Sequence, residues 1–364
     1  FTMKITIKQL LGGLVAASLL AGAGGVAAQT KPREKFTFAW PSAINSGVAN
    51  LTFATELGFF AEENLDVDVV VLTGSGVIIP QLLAGKIHSA YSSLEVLPVA
   101  RQPGKPNFPI KFAYNFLPRS IWEIAVLEES PIKSLADLGG KTLGVVSITA
   151  GNVAVTQAML QREGVDWSSV NRVGVGSGVP AFEALRRQKV DALNLWDTMD
   201  RALELSGTKI RRIPYSKDFA SLPSHGFPVT DELMKTRPDL IARFGRAMSK
   251  GAVACQANLT GCIKSFWRQY PTLKPTAGSE EENLKKEVEI LTPRLANLMF
   301  ERTAGNMGAF KDSDWSTLIG ALKQGGMIGQ DVQIALDSLY TNSLVPEFNK
   351  FDWAAVAAKA KAYP

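Results

Sequence analysis

The chain has 364 residues, of which 46% are hydrophobic and 20% charged. This is an ordinary globular composition, long enough for two cores. The formal net charge of +5 is too weak and too evenly spread a basic excess to argue for nucleic acid. The only histidines are His88 and His225, and neither neighbours a cysteine, so a His-based triad and a metal site both lack support.

Lys4 and Lys8 precede an apolar run from Leu10 to Val26, and Val26-Ala27-Ala28 places small residues before Gln29. This pattern predicts a cleaved secretory signal over residues 1–28. The alternative, a membrane anchor, is disfavoured because the run falls short of the roughly 20 residues a spanning helix needs. Without these residues the net charge falls from +5 to +3, since Lys4 and Lys8 are their only charges.

Phe36, Phe38 and Trp40 alternate with Thr37 and Ala39, which predicts a strand from Lys35 to Trp40. A small-residue loop, Pro41 to Gly47, leads to a helix ending near Gly58-Phe59-Phe60. Strands are expected at Leu65–Leu72 and His88–Ser92, with a helix from about Val77 to Gly85 between them. Ile110–Phe116 and Trp122–Leu127 read as further strands. The pattern then restarts. Ser134 opens a helical turn and Thr142–Ser147 is a buried strand. The helix Val153–Glu163, strand Val170–Val175, helix Ala181–Gln188 and strand Ala192–Trp196 follow. Two strand–helix–strand sets imply two α/β lobes with doubly wound, mostly parallel sheets. After about Asp218 the character turns helical, with Thr292-Pro293 marking a restart or kink. These C-terminal helices are expected to brace the lobes as scaffold.

Cys255 and Cys262 lie seven apart. On one helix their Cα atoms would stand roughly 10 Å apart, too far to bridge. Asn258–Gly261 reads as a break between helices, so a disulfide across that corner and two free thiols both stay open. Enzyme motifs fail: Gly139-Gly140-Lys141-Thr142 has Leu135 where a phosphate loop needs glycine. Gly174 to Gly178 gives neither a dinucleotide fingerprint nor a nucleophile elbow.

Four blocks carry a family resemblance: ATELGFFAEENLDVDVVVLTGSG, QLLAGKIHSAYSS, SPIKSLADLGGKTLGV and FEALRRQKVDALNLWD. In order and spacing the chain resembles the periplasmic solute-binding proteins of ABC importers, in the nitrate/sulfonate/taurine and thiamine-pyrimidine-precursor class. One departure is His88, where that class usually has Asp. The resemblance implies a two-lobed type II periplasmic-binding-protein fold of α/β class. Lobe one would be discontinuous, residues 29–116 and 225–364, and lobe two residues 117–224. Crossings would fall near Tyr114–Trp122 and Pro223–Val229.

In such a protein the solute is trapped between the carboxyl ends of strands from both lobes. Lobe one then offers Trp40, Ser42, Asn45, Ser75, Ser92 and Ser93, with Asn115 near the first crossing. Lobe two offers Thr149, Asn152, Trp196 and Asp197. Short hydroxyls, amides and backbone N–H groups bind a polar group without burying a bare cation, and tryptophan supplies a flat wall. Each Ser, Thr or Asn could instead cap a helix, Trp196 could be core, and Asp197 could cap the helix after it. With no Arg or Lys pair in the expected cleft, a strongly charged dianion is less favoured, and the resemblance implies a periplasmic, monomeric receptor without cofactor or metal. It would deliver a small organic anion, sulfonate- or carboxylate-like with an aromatic body, to an ABC permease in the inner membrane. The alternatives are an exported enzyme or pyrimidine-precursor-related protein on the same fold, and a sensor module that presents ligand to a receptor.

Overall fold

The alternation of Phe36, Phe38 and Trp40 produces β1 (Glu34–Trp40), the first element in a computed structural model that describes residues 32–364. The expected secretory signal lies outside the described residues. Helices α1 (Ala49–Glu56) and α2 (Phe59–Glu62) lead to β2 (Leu65–Val71), α3 (Ser75–Leu83) and a short β3 (Ser89–Ala90). Both β2 and β3 run parallel to β1, in the order β2-β1-β3. The strand expected over His88–Ser92 breaks at Tyr91. Its N–H donates to the Ala39 carbonyl at 2.9 Å, after which β4 (Ser92–Ser93) turns to another sheet. The strands of this first set therefore divide between two three-stranded sheets.

Helix α4 (Val96–Ala100) and a proline-rich loop lead to β5 (Ile110–Leu117). A second strand–helix–strand set then builds a five-stranded sheet from β6 (Trp122–Leu127), β7 (Thr142–Val145), α5 (Asn152–Arg162), β8 (Asn171–Gly174), α6 (Val179–Arg186) and β9 (Ala192–Trp196). Helix α7 (Asp197–Leu205) and β10 (Ile210–Ile213) complete it in the order β10-β6-β9-β7-β8, with β7 parallel to both neighbours. The edge strand β10 escapes the pattern reading because its four residues include Arg211 and Arg212. After α8 (Lys217–Ala220) the chain enters β11 (His225–Thr230), antiparallel between β4 and β5. Residues 118–121 lead from the β4-β11-β5 sheet into the five-stranded sheet, and residues 214–224 lead back.

The remainder is α9 (Asp231–Thr236), α10 (Pro238–Ala257), α11 (Leu259–Gln269), α12 (Glu280–Leu298), α13 (Asp312–Gln324), α14 (Val345–Phe348) and α15 (Trp353–Lys361). Phe244 of α10 stacks on Phe36 at 4.0 Å and packs against Phe38 and Phe227, which fastens this helix to two sheets. α12 runs unbroken through Pro293, so of the restart or kink expected there the restart does not occur. Packing along α7, including an Arg201–Glu289 pair at 2.6 Å, offsets the ~3 kcal/mol that an internal proline costs. Among the described residues no helix is long and apolar enough to cross a membrane.

Asn258 breaks the helix as expected. Its Oδ1 accepts the Gly261 N–H at 2.8 Å and caps α11. The corner brings the Cα atoms of Cys255 and Cys262 to 5.2 Å, and the two are disulfide-bonded. So short a loop limits the entropic gain, so the Cys255→Ser, Cys262→Ser double variant should lose about 2 kcal/mol in a urea unfolding curve. A loss near zero would show that the corner is held by the Asn258 cap alone.

Candidate functional site

Trp40 ends β1, Trp196 ends β9, Trp122 opens β6 and His225 opens β11. With Tyr91 at the strand break they wall a narrow cavity. The rings form a continuous chain. Trp40 stacks on Tyr91 at 4.6 Å and Tyr91 on His225 at 4.1 Å; His225 lies 5.3 Å from Trp122, which meets Trp196 edge-on at 6.1 Å. Such a wall fits a flat, apolar ring.

Three buried atoms of this wall have no protein partner among the described residues: Trp40 Nε1, Tyr91 Oη and His225 Nδ1. Each unmet polar group costs about 1–3 kcal/mol, which the polar edge of a bound molecule would relieve. Burial raises the Tyr91 phenol and pushes the His225 imidazole well down, so both are neutral near pH 7. The imidazole Nε2 is 3.5 Å from Ser93 Oγ.

Of the residues expected at the site, Trp40, Ser42, Asn45, Ser75, Ser93 and Trp196 line this cavity. Asn45 is mostly spent on its own turn, accepting from Gly47 N–H at 2.9 Å and donating to Ala43 O at 3.0 Å. Ser92 stands behind Ser75, 3.4 Å away. Asn115 lies off the cavity, where its Nδ2 donates to Ala309 O at 3.1 Å. Asn152 donates to Asn194 Oδ1 at 3.0 Å inside a network with Thr156 and Tyr215. Thr149 faces outward and bonds Ser147 at 3.0 Å. His88 is also remote: its Nδ1 accepts the Thr37 N–H at 2.9 Å, and burial lowers its pKa.

Asp197 opens α7 and accepts the Thr198 N–H at 2.7 Å, but it has a second role. It holds Arg294 of α12 through Nη2 at 2.6 Å and Nε at 3.1 Å, with Asn297 Nδ2 at 3.3 Å. Arg294 is 6% exposed and lines the cavity, so α12 is part of the site and not scaffold only. The Asp197 charge raises the pKa of the guanidinium against the opposing effect of burial, and the pair is neutral overall. Tyr91, Trp122, His225 and Arg294 were absent from the sequence-derived set. The first two carry a sequence signal, as aromatics at a strand end and a strand start; Arg294 carries none. Among the described residues no group of three or more His, Cys, Asp or Glu side chains converges as a metal site would.

Ser75, Ala150 and Gly151 separate this cavity from a wider hollow that reaches solvent at Ile148, which is 64% exposed. Here the two segments touch. The Gly76 N–H donates to Thr149 O at 3.4 Å, and a Cβ on Gly151 would stand only 2.6 Å from Ser93 Cβ. Glycine at 151 is what allows this approach.

The family model described as NMT1/THI5 like matches residues 45–258. A formylaminopyrimidine-binding protein of Halalkalibacterium halodurans is 30% identical over 38% of this chain, and the match spans 39% of that protein's length. The riboflavin-binding protein RibY of Chloroflexus aurantiacus is 22% identical over 95% of this chain and 97% of its own. A solved structure from Bordetella bronchiseptica superposes with a TM-score of 0.68 at 19% identity, over 87% of this chain and 97% of that one. The shared architecture is the periplasmic-binding-protein fold.

Proposed function

This chain belongs to the NMT1/THI5-like family, and from that premise we propose that it is an extracytoplasmic solute receptor serving an ABC importer. The observation that carries the reading is the ring-walled cavity with three buried polar atoms awaiting partners. Among the described residues, lobe one is 32–116 with 225–364 and lobe two 117–224; the solute lies between them and hinge closure buries it. Closure then presents one docking shape to the permease.

The charge balance narrows the solute. Asp197 neutralises Arg294, and Tyr91 and His225 carry no charge, so a dianion finds no counter-charge here. Arg294 Nη1 has no protein acceptor among the described residues and can receive one acceptor oxygen or ring nitrogen. A planar aromatic body with hydrogen-bonding edges and at most one negative charge fits best. Two relatives named for a formylaminopyrimidine and for riboflavin support a ring ligand.

Calorimetry and thermal shift test this with a panel of pyrimidines, flavins, aryl carboxylates and aryl sulfonates. At least one should bind at micromolar concentration and raise the melting temperature; a panel without any stabilising compound would end the receptor reading. Replacing Trp196 with Ala should weaken that compound by well over tenfold while circular dichroism stays native. An unchanged affinity would assign Trp196 to the core.

A further inference from the structure

Glu95 lies at the start of α4, 2% exposed, and its Oε1 has no hydrogen-bond partner. It sits on the inner wall of the outer hollow. The same lining holds Ser75 of α3, Gly151, and Val153, Ala154 and Gln157 of α5. The Tyr215 phenol, which burial keeps protonated, is within reach of the Glu95 charge. None of these groups is charged, and the hollow has no Lys or Arg in its lining. The neighbouring Ser93 and Val96 press against Gly151 across the contact between the two segments.

Resting on the two-lobe reading above, we propose that closing the jaws takes a proton onto Glu95, which makes the receptor a proton-linked trap. A carboxylate enclosed there would meet α5 with no cation to offset its burial, whereas a carboxylic acid can be enclosed. The hollow gives that proton a route from solvent at Ile148. In the closed form burial lifts the Glu95 carboxyl from its ordinary 4.5 to about 8. Parting the jaws hydrates it and returns it to the ordinary range. The closed form therefore holds the extra proton. Its advantage is complete below about pH 4.5, shrinks about tenfold per pH unit, and is gone above about pH 8.

Other buried groups leave this window clear. Glu123 and Asp200 are also raised by burial, but they lie with Arg212 in the 122–213 sheet segment, outside the lining of the outer hollow, and Glu95→Gln retains them, so contraction that they drive would persist in that variant. His225 is lowered and pulls in the opposite sense only below about pH 6.5.

The test follows ligand-free protein by small-angle scattering from pH 9 to 6.5, with Glu95 titrated by carboxyl ¹³C NMR. Wild type should contract as the pH falls, and Glu95→Gln should stay contracted throughout. Glu95 should titrate near 8 in wild type and near 4.5 in Gly151→Val, whose side chain props the jaws apart. Absence of contraction in wild type, its persistence in Glu95→Gln, or an ordinary Glu95 titration in wild type would each overturn the proposal. If Gly151→Val fails to fold, the Gln variant alone decides. Failure of the receptor reading shows elsewhere, as a ligand panel that stabilises nothing.

Discussion

Asp197→Asn should lower stability by about 3–5 kcal/mol, because it leaves the Arg294 guanidinium buried without a counter-ion. In differential scanning calorimetry the melting temperature should fall on the order of 10 °C. The comparison is the pair Arg187–Glu183, whose side chains are 69% and 39% exposed. Breaking that pair should change stability by less than about 1 kcal/mol, because water and salt already screen it. Adding Arg294→Met to Asp197→Leu should recover most of the loss, since an apolar pair of similar volume avoids desolvation altogether. Asp197→Asn also leaves the cavity with a net positive charge. Aryl carboxylates and sulfonates should then bind more tightly relative to neutral rings. A melting temperature unchanged from wild type would sink the account of a neutral site built on a buried pair.

Gly325→Ala should be similarly damaging, although it adds one methyl group. A Cβ at this position would lie 2.0 Å from Ala158 Cα and 2.3 Å from Ala158 Cβ. Both contacts fall on α5, so backbone has to move where the end of α13 crosses it. The expected cost is about 3 kcal/mol or more, at the upper end for overpacking. Gly320, five residues earlier on α13, is the control, because a Cβ there meets nothing within 4 Å. Gly320→Ala should stabilise the protein by about 0.5–1 kcal/mol through helix propensity alone. Urea unfolding of the two variants reads both signs. Equal effects would mean that α13 and α5 are not in contact in solution.

The strands β1, β2, β6 and β9 were legible because a two-residue period and β-branched or aromatic content are local properties. Capping was legible for the same reason: Asp352 opens α15 by accepting the Ala355 N–H at 3.0 Å. Pro293 misled because a proline's local cost says nothing about the packing on α7 that offsets it. The break at Tyr91 was hidden because it follows from two sheets competing for neighbouring residues. Thr149 and Asn152 were reasonable as ligand groups from their place after β7. Whether a hydroxyl or amide faces a cavity or a neighbouring side chain is settled by the packing of α5 against β9 and Tyr215.

By itself the sequence determined the α/β class, the two strand–helix–strand sets, the helix break between Cys255 and Cys262, and six residues of the cavity wall. All of these rest on residues close together in the chain. Only the tertiary structure decided that Trp40, Tyr91, Trp122, Trp196 and His225 form one chain of rings, and that Arg294 joins them from a C-terminal helix. These residues span more than 250 positions. Sheet order and the packing of α12 on α7 bring them together, and no local period records that distance.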